Sequence, residues 1–405
     1  MIVGLTIRNF KGISAIENLP LSSFHVLVGP NGVGKTTFLD AVDFVRDCLV
    51  QGPAAAVESR HIADFNDLTW MRRGGAIEIE LWLDLSEQRP ELAGSLLSYR
   101  LIVQQDEDRG IFIYSENLDK HSGDKFSFLS NFHCHKENSI IIERGSGNIS
   151  IIFNEKEEKN DGFILSDDVL FLGEVFPDEE RYPTANAVKR FLTQGIRSIQ
   201  LNSQAMRLPC PATRPAELAL DGTNLARVVG RLIGKRAGLG PHWPEPGSPV
   251  ALWTEHLRYA LPDLQAVGWA RRQADNAEYL LLRYDNGLEA PSWMLSDGTL
   301  RMMALTLPAF MTPEPAIYLV EEPENGVHPK ALEIILRSLS STPGAQMLLA
   351  THSPLVVQQC GVEPLLCFSR DDGGVHITPG PDHPMLKGWD GTPDLSVVFA
   401  AGVLE

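Results

Sequence analysis

The sequence predicts an α/β fold whose two halves lie at opposite ends of the chain. A β-forming run from Phe24 to Val28 leads through a glycine-rich loop into a helical pattern. Near the other end the chain again alternates helix and strand, with short apolar runs suited to buried strands. We therefore expect a mixed central sheet built from residues 1–90 and 286–405. Residues 91–285, which are β-rich and then helical, predict an antiparallel β subdomain and a mainly helical insert.

Composition argues against several classes of protein. The 405 residues are 43% hydrophobic and 21% charged, which is typical of a globular protein with a substantial core. Because the sequence contains neither an apolar run of membrane-spanning length nor a signal-peptide pattern, we expect no membrane segment. Five cysteines without regular spacing predict reduced thiols in a cytoplasmic protein. The net charge of −17 argues against general attraction to nucleic acid.

Two short groups of residues suggest ligands but also have ordinary explanations. Arg227, Arg231 and Lys235 recur every four residues along a helical pattern that begins at Thr223. Most such rows are solvated helix faces, so nucleic-acid binding stays open as the lesser alternative. His133-Cys134-His135 suggests a metal, but adjacent residues rarely point at one ion. We expect a surface turn there.

The remaining elements follow from residue patterns taken in chain order. The opening MIVGLTIRNFKGI alternates apolar and polar residues and ends in a basic turn, which predicts a first strand. Strand-like runs joined by polar loops predict an antiparallel sheet, at Ala76–Leu85, Tyr99–Val103, Ile111–Tyr114, Ile140–Glu143 and Ile149–Phe153. From Thr184 to Leu261 helical patterns dominate, and Glu278–Tyr284 is again strand-like.

The glycine-rich loop reads GPNGVGKTT and predicts a phosphate site. Its glycines let successive backbone N–H groups turn toward a polyphosphate, and the following helix adds partial positive charge. Lys35 can reach the β- and γ-phosphates, and the Thr36 hydroxyl can ligate Mg²⁺. The residues expected to bind are Gly29, Asn31, Gly32, Gly34, Lys35, Thr36 and Thr37.

Adjacent acids follow an apolar run near the other end. Ala316–Val320 is suited to a buried central strand and leads into Glu321-Glu322-Pro323-Glu324. Two carboxylates at the end of a buried strand are costly unless they serve a cation and a water. We expect Glu321 to hold Mg²⁺ and Glu322 to activate the attacking water. An acid cluster that caps the next helix is the alternative.

Two further motifs complete the predicted chemistry. Another apolar run delivers Thr351-His352-Ser353-Pro354, where His352 is placed to contact a γ-phosphate, although a lone histidine is more often structural. Ser296 and Gly298, in LSDGTLR, stand at a helix start that offers a hydroxyl and free backbone donors. Because the chain already has one phosphate loop, this second site has a use in trans, on a partner subunit's γ-phosphate. An ordinary N-cap by Ser296 is the alternative.

Together these motifs resemble ABC-type ATPases of the branch that contains SMC, RecF and OLD-family (overcoming lysogenization defect) proteins. Five elements match in order: Asn9-Phe10-Lys11, the P-loop, an LSDGT signature, the EEPENGVHP Walker B segment and the THSP histidine loop. Asp221-Gly222-Thr223-Asn224-Leu225 resembles a segment that often precedes the signature. The resemblance implies an ABC-type P-loop ATPase head, with ATP and Mg²⁺ as its ligands.

The departures from the family pattern point to the OLD-like branch. Glu321 stands where most ABC proteins have Asp, and LSDGT replaces LSGGQ, as in members that are not transporters. Full OLD nucleases carry a Toprim domain after the ATPase, and we expect none after His352. The Q-loop residue stays open between Asn66, Asp64 and Asp67.

The resemblance implies an ATPase that works as a head-to-tail homodimer or a higher homo-oligomer. In that arrangement Lys35, Glu322 and His352 would be catalytic, while Ser296 and Gly298 would act from the partner subunit. The family context further implies control of a separate, nuclease-like effector in bacterial antiphage defence. A DNA-repair or DNA-end-binding ATPase and an ATP-responsive scaffold with little turnover stay open as alternatives. A transporter subunit suits neither the insert nor the LSDGT and EEPE variants.

Overall fold

The structure, a computed structural model, describes the chain over residues 1–122, 138–145, 149–215, 217–234, 240–371, 373–387, 389, 391, 394–402 and 404. The predicted turn at His133-Cys134-His135 and the Lys235 end of the basic row lie outside these residues. Among the residues described, no helix is both long and apolar enough to span a membrane.

Strands and helices are numbered in chain order. The strands are β1 Ile2–Phe10, β2 Ile13–Pro20, β3 Phe24–Val28, β4 Ile77–Leu83, β5 Ser95–Asp106, β6 Gly110–Ser122, β7 Asn138–Arg144, β8 Ile149–Asn154, β9 Lys159–Ile164, β10 Ile196–Ile199, β11 Leu264–Arg271, β12 Glu278–Tyr284, β13 Glu289–Pro291, β14 Ala316–Glu321, β15 Ala345–Ala350, β16 Leu365–Asp371 and β17 Gly374–Pro379. The helices are α1 Lys35–Gln51, α2 Pro53–Glu58, α3 Phe171–Glu174, α4 Pro183–Arg190, α5 Ser203–Met206, α6 Leu225–Ile233, α7 Pro249–Leu257, α8 Asp297–Thr306, α9 Pro329–Ser340, α10 Pro354–Cys360 and α11 Leu395–Ala400.

The central sheet brings the two ends of the chain together. Its order is β10-β14-β15-β3-β16-β17, parallel except for β17, which runs antiparallel to β16. Val26 and Val28 of β3 belong to the core that contains α8 and α9, whereas Leu27 belongs to the core that contains α1. The sheet is therefore buried on both faces, as parallel sheets are. The carboxyl ends of β3, β14 and β15 open at one edge.

The antiparallel subdomain predicted from the strand-like runs is an eight-stranded sheet of order β2-β1-β4-β5-β6-β7-β8-β9. Its inner face packs against α1, where the rings of Phe10 and Phe44 lie 5.5 Å apart. Strands β5 to β8 are longer than the apolar runs that predicted them, because polar residues on the outer face extend the pairing, whereas β4 is shorter than the predicted run Ala76–Leu85. A smaller sheet of order β11-β12-β13 packs with α6 and α7.

The short strand β10 lies where the sequence predicts helix. It follows α4 and a π-helical turn at Phe191–Gly195, and it pairs in parallel with β14, Ile199 opposite Val320. Four residues are too few to show a period of two, and the strand's partner lies far along the chain. Residues 91–285 thus contribute an edge strand to the central sheet.

Gln346 joins the two large sheets. Its side chain is 2% exposed, donates from Nε2 to the carbonyls of Ile2 (2.7 Å) and Ser22 (2.8 Å), and accepts at Oε1 from Ile2 N (2.9 Å). Buried backbone groups need such partners. One amide in β15 therefore satisfies the start of β1 and the turn before β3.

We predict that Gln346→Met lowers the free energy of unfolding by about 2–4 kcal/mol, because up to three buried backbone groups lose their partner. The urea midpoint, followed by circular dichroism, measures this change. Gln358→Met is the matched control, since Gln358 is exposed and bonds only Asp394 among the contacts described. Equal midpoints for the two variants would contradict the assignment.

Candidate active site

The loop from Gly29 to Thr37 joins β3 to α1 and rests on the β16-β17 hairpin. Gly29 has φ +143°, and a Cβ there would overlap the carbonyl oxygen of Phe368. Gly34 has φ +123°, and a Cβ there would lie 3.1 Å from a methyl of Val375. Only glycine meets both the left-handed backbone and the tight fit at Gly29. The hairpin thereby fixes the position of the loop.

The Lys35 ammonium folds back onto this loop. Its side chain is 4% exposed, and Nζ donates to the carbonyl oxygens of Gly29 (2.6 Å) and Pro30 (2.8 Å). A buried ammonium is costly unless its donors are satisfied. The loop carbonyls hold the charge beneath the backbone where an anion would bind.

The two residues predicted for Mg²⁺ touch one another. Thr36 Oγ1, in the first turn of α1, donates to Glu321 Oε2, at the end of β14, over 2.9 Å. Both side chains are exposed at the carboxyl edge of the sheet. Mg²⁺ favours oxygen ligands and is usually held by one or two carboxylates together with substrate phosphates. A hydroxyl and a carboxylate facing each other beside a phosphate loop fit that ion.

Glu322 follows immediately in a strained backbone conformation. Its φ is +46°, its N–H donates to Ala350 O (2.9 Å), and its carbonyl accepts from Asn325 N (3.0 Å). A left-handed conformation costs a residue with a side chain roughly 1–3 kcal/mol, and it persists where surrounding contacts enforce it. The pairing to β15 and the turn to Asn325 enforce it here. The carboxylate is exposed, and Asn325 Nδ2 lies 3.5 Å from its Oε2.

Glu324 fixes the neighbouring strand end, a role that the sequence analysis did not assign to it. Its Oε1 accepts from Thr351 Oγ1 (2.7 Å) and from His352 N (3.1 Å). Its Oε2 is buried and has no hydrogen-bond partner within the described part of the chain. The carboxylate thus ties the turn after β14 to the residue that presents His352. Only the pairing of β14 with β15 brings these residues together.

The surroundings of His352 disfavour the charged form of its imidazole. Partial burial lowers its pKa below the usual value, and the nearby Lys35 ammonium lowers it further. Glu322 and Glu324 act in the opposite direction and are outweighed. A neutral imidazole can either donate or accept a hydrogen bond. The predicted catalytic residues Lys35, Glu322 and His352 therefore share one electrostatic environment.

The start of α8 lies at the surface, beside the loop that follows Glu324. Ser296 Oγ accepts from Thr299 N (3.1 Å), as an ordinary N-cap does. A Cβ at Gly298 would lie 2.6 Å from Gly326 O, so the helix start packs against the loop that follows Glu324. Residues 296–299 line an open cavity of about 510 Å³ with His328. Ser296 is exposed there, where a neighbouring molecule could reach it.

The first family motif is joined to α1 and to the segment that contains the Q-loop candidates. Lys11 Nζ pairs with Asp40 Oδ2 of α1 (2.6 Å), and Asn9 Oδ1 accepts from Trp70 N (3.0 Å). Asp64 caps the short turn that contains Asn66.

One arginine of the basic row forms an ion pair with a buried carboxylate. Arg227 Nη1 lies 3.0 Å from Glu278 Oε1, and the Glu278 side chain is buried. Arg231 lies 3.7 Å from Glu217. Because Arg227 compensates a buried carboxylate, the row does not present all its charges to a phosphate backbone.

This architecture is also found in known proteins. A family model described as "AAA domain, putative AbiEii toxin, Type IV TA system" matches residues 24–358. A crystal structure of the SMC head bound to the C-winged helix domain of ScpA is similar with a TM-score of 0.53 and 13% identity, over 93% of this chain and 97% of that chain. An SMC head from Pyrococcus furiosus, with an extended coiled coil and bound to the C-terminal domain of ScpA, gives 0.48 and 10%, over 93% and 95%. No curated protein matches the chain.

We predict that Lys35→Met raises the pKa of His352, because a nearby positive charge disfavours protonation of the imidazole. The pKa is measured by NMR on protein with labelled histidines, and His352→Gln assigns the signal. His383 is the internal control, since burial alone lowers its pKa. An unchanged His352 titration would show that Lys35 does not act on it.

Proposed function

The chain belongs to this AAA domain family, and from that premise we propose that it is an ATPase of the OLD/RecF-like branch that hydrolyses ATP between two head-to-tail subunits. The observation that carries the proposal is the contact between Thr36 and Glu321. This contact joins the first turn of α1, in the N-terminal half of the head, to the end of β14, in the C-terminal half. Lys35 precedes Thr36 in the sequence, and its charge acts on His352. Phosphoryl transfer depends mainly on such positioned charges and dipoles.

The front half of the head binds the triphosphate in this proposal. The loop glycines and the N-terminus of α1 receive its phosphates, and Lys35 exchanges the carbonyls of Gly29 and Pro30 for phosphate oxygens. Thr36 and Glu321 would hold Mg²⁺, which supplies positive charge against the phosphate oxygens when bound. Asn31 and Thr37 complete this binding surface.

Glu322 and His352 carry the chemical step. A water attacks the γ-phosphorus, its proton passes to the Glu322 carboxylate, and the bond to the β–γ bridging oxygen breaks, which leaves ADP and inorganic phosphate. The backbone strain at Glu322 is consistent with a carboxylate held in one place for this purpose. The neutral His352 can donate a hydrogen bond to the γ-phosphate.

A second subunit completes the site. Ser296 and Gly298 open a ten-residue helix at an exposed cavity, and they would meet the γ-phosphate bound by the partner. In that complex the Ser296 hydroxyl can leave its N-cap bond with Thr299 for the phosphate. ATP favours the closed dimer because it contacts both subunits, and hydrolysis removes that linkage.

The output of the cycle passes to a separate effector, nuclease-like in our proposal, that acts in bacterial antiphage defence. The resemblance of LSDGT and EEPENGVHP to OLD-like proteins supports that context. The SMC head that shares this fold was solved with a domain of ScpA bound, so an ATPase head of this type can carry a partner protein. Cys48, Cys210, Cys360 and Cys367 are free thiols, in keeping with a cytoplasmic location.

We predict that Glu322→Gln retains ATP binding, accumulates an ATP-bound dimer and lowers turnover at least about 100-fold, because the amide cannot accept the proton. Phosphate release gives the turnover, and light scattering after size exclusion gives the dimer fraction with and without ATP. Glu333→Gln is the control, an exposed acid of α9 that pairs only with Arg337 among the contacts described. Full hydrolysis by Glu322→Gln would remove Glu322 from the proposed role.

A further inference from the structure

Arg207, in the segment between β10 and β11, contacts the start of α8 through its side chain. Arg207 Nη1 lies 2.7 Å from Asp297 Oδ1, and Arg207 Nε donates to Leu295 O over 3.1 Å. The carbonyl of Arg207 accepts from Ser292 Oγ at 3.1 Å. The guanidinium thus contacts the residues on both sides of Ser296. We propose that Arg207 is a positioning residue that holds the α8 start in the geometry and charge state needed to meet the partner subunit's triphosphate.

Charge gives the first reason. Asp297 is the first residue of α8, where its carboxylate interacts favourably with the positive helix end. The same carboxylate repels an incoming phosphate at that place. Pairing with Arg207 turns it aside and neutralises it, so the Ser296 hydroxyl and the helix N–H groups keep their attraction for an anion.

Geometry gives the second reason. The side chains of Arg207 and Asp297 are 30% and 55% exposed, so their pairing adds little stability. Two donors of one planar guanidinium, directed at a carboxylate and a backbone carbonyl, instead define an orientation. The bond to Leu295 O fixes the residue directly before the N-cap.

Arg207 is itself anchored on both sides. Upstream it follows α5, where Met206 Sδ would lie 2.8 Å from a Cβ at Gly222, so the two segments are in close contact. Downstream, Cys210 exchanges two backbone hydrogen bonds with Glu278 of β12, each of 2.7 Å. On its N-terminal side, α5 is preceded by β10 of the central sheet. The guanidinium is therefore a fixed support for α8.

This inference rests on the proposed dimer, and subunit mixing tests it. We expect Arg207→Ala to bind ATP within about twofold of wild type, because its own P-loop is intact, and to lose at least about 10-fold in turnover. Arg207→Lys should recover part of the loss, since lysine can replace the charge but not the fork. Arg272→Ala is the control, an exposed arginine whose ion pair is with Asp275.

Mixing Arg207→Ala with Lys35→Ala should restore hydrolysis. Each variant damages a different side of the interface, so one of the two sites in a mixed dimer combines an intact P-loop with an intact α8 start. At a one-to-one ratio the activity should reach up to about a quarter of wild type. Adding Asp297→Asn to Arg207→Ala should also recover turnover, because the uncompensated carboxylate is removed.

The outcomes separate the two proposals. Wild-type protein that does not hydrolyse ATP overturns the proposed function. Wild-type turnover together with full activity of Arg207→Ala overturns the role of Arg207 alone. A folded mixture that stays inactive also overturns it, because the Arg207 defect then lies in the subunit's own site. Thermal melting of each variant establishes that it is folded. If Arg207→Ala is not folded, Arg207→Lys takes its place in the mixing experiment.

Discussion

The hydrogen bond between Thr36 and Glu321 is the contact on which the site depends. It spans 285 positions of sequence and forms because β3 and β14 run parallel in one sheet, on either side of β15. Parallel strands place their carboxyl ends at one edge, so a loop after each strand reaches the same point. The other site groups follow from that geometry: Lys35 precedes Thr36, Glu322 follows Glu321, and His352 follows β15.

Much of this arrangement could be predicted from local patterns. The glycine-rich loop, the acid pair and the strand before His352 each occupy a few adjacent residues with a recognisable period or composition. What escaped prediction depends on pairing between distant segments. Gln346 and Arg207 are polar residues with no unusual local setting, and Glu324 was visible only as part of an acidic run. The partners of all three became known only from the folded structure. The strand β10 was hidden for the same reason, since four residues carry too little pattern.

The site also shows how an acidic protein can prepare for a polyanion. The chain carries a net charge of −17, yet its P-loop keeps one buried ammonium and its signature helix keeps its acid paired with an arginine. In the proposed dimer, the net charge of the protein does not attract the triphosphate over a distance. Hydrogen-bond donors at two helix ends bind the phosphates in the proposed dimer. Salt screens them little, because they act at contact distance.

The edge position of β10 has a consequence for any change to residues 91–285. If residues 91–285 were removed, β14 would become the outermost strand, with a row of unpaired N–H and C=O groups along the strand that ends in Glu321. Such an edge pairs readily with other chains. A chain without residues 91–285 would need another cover for β14, so a segment that replaced them would have to supply its own edge strand.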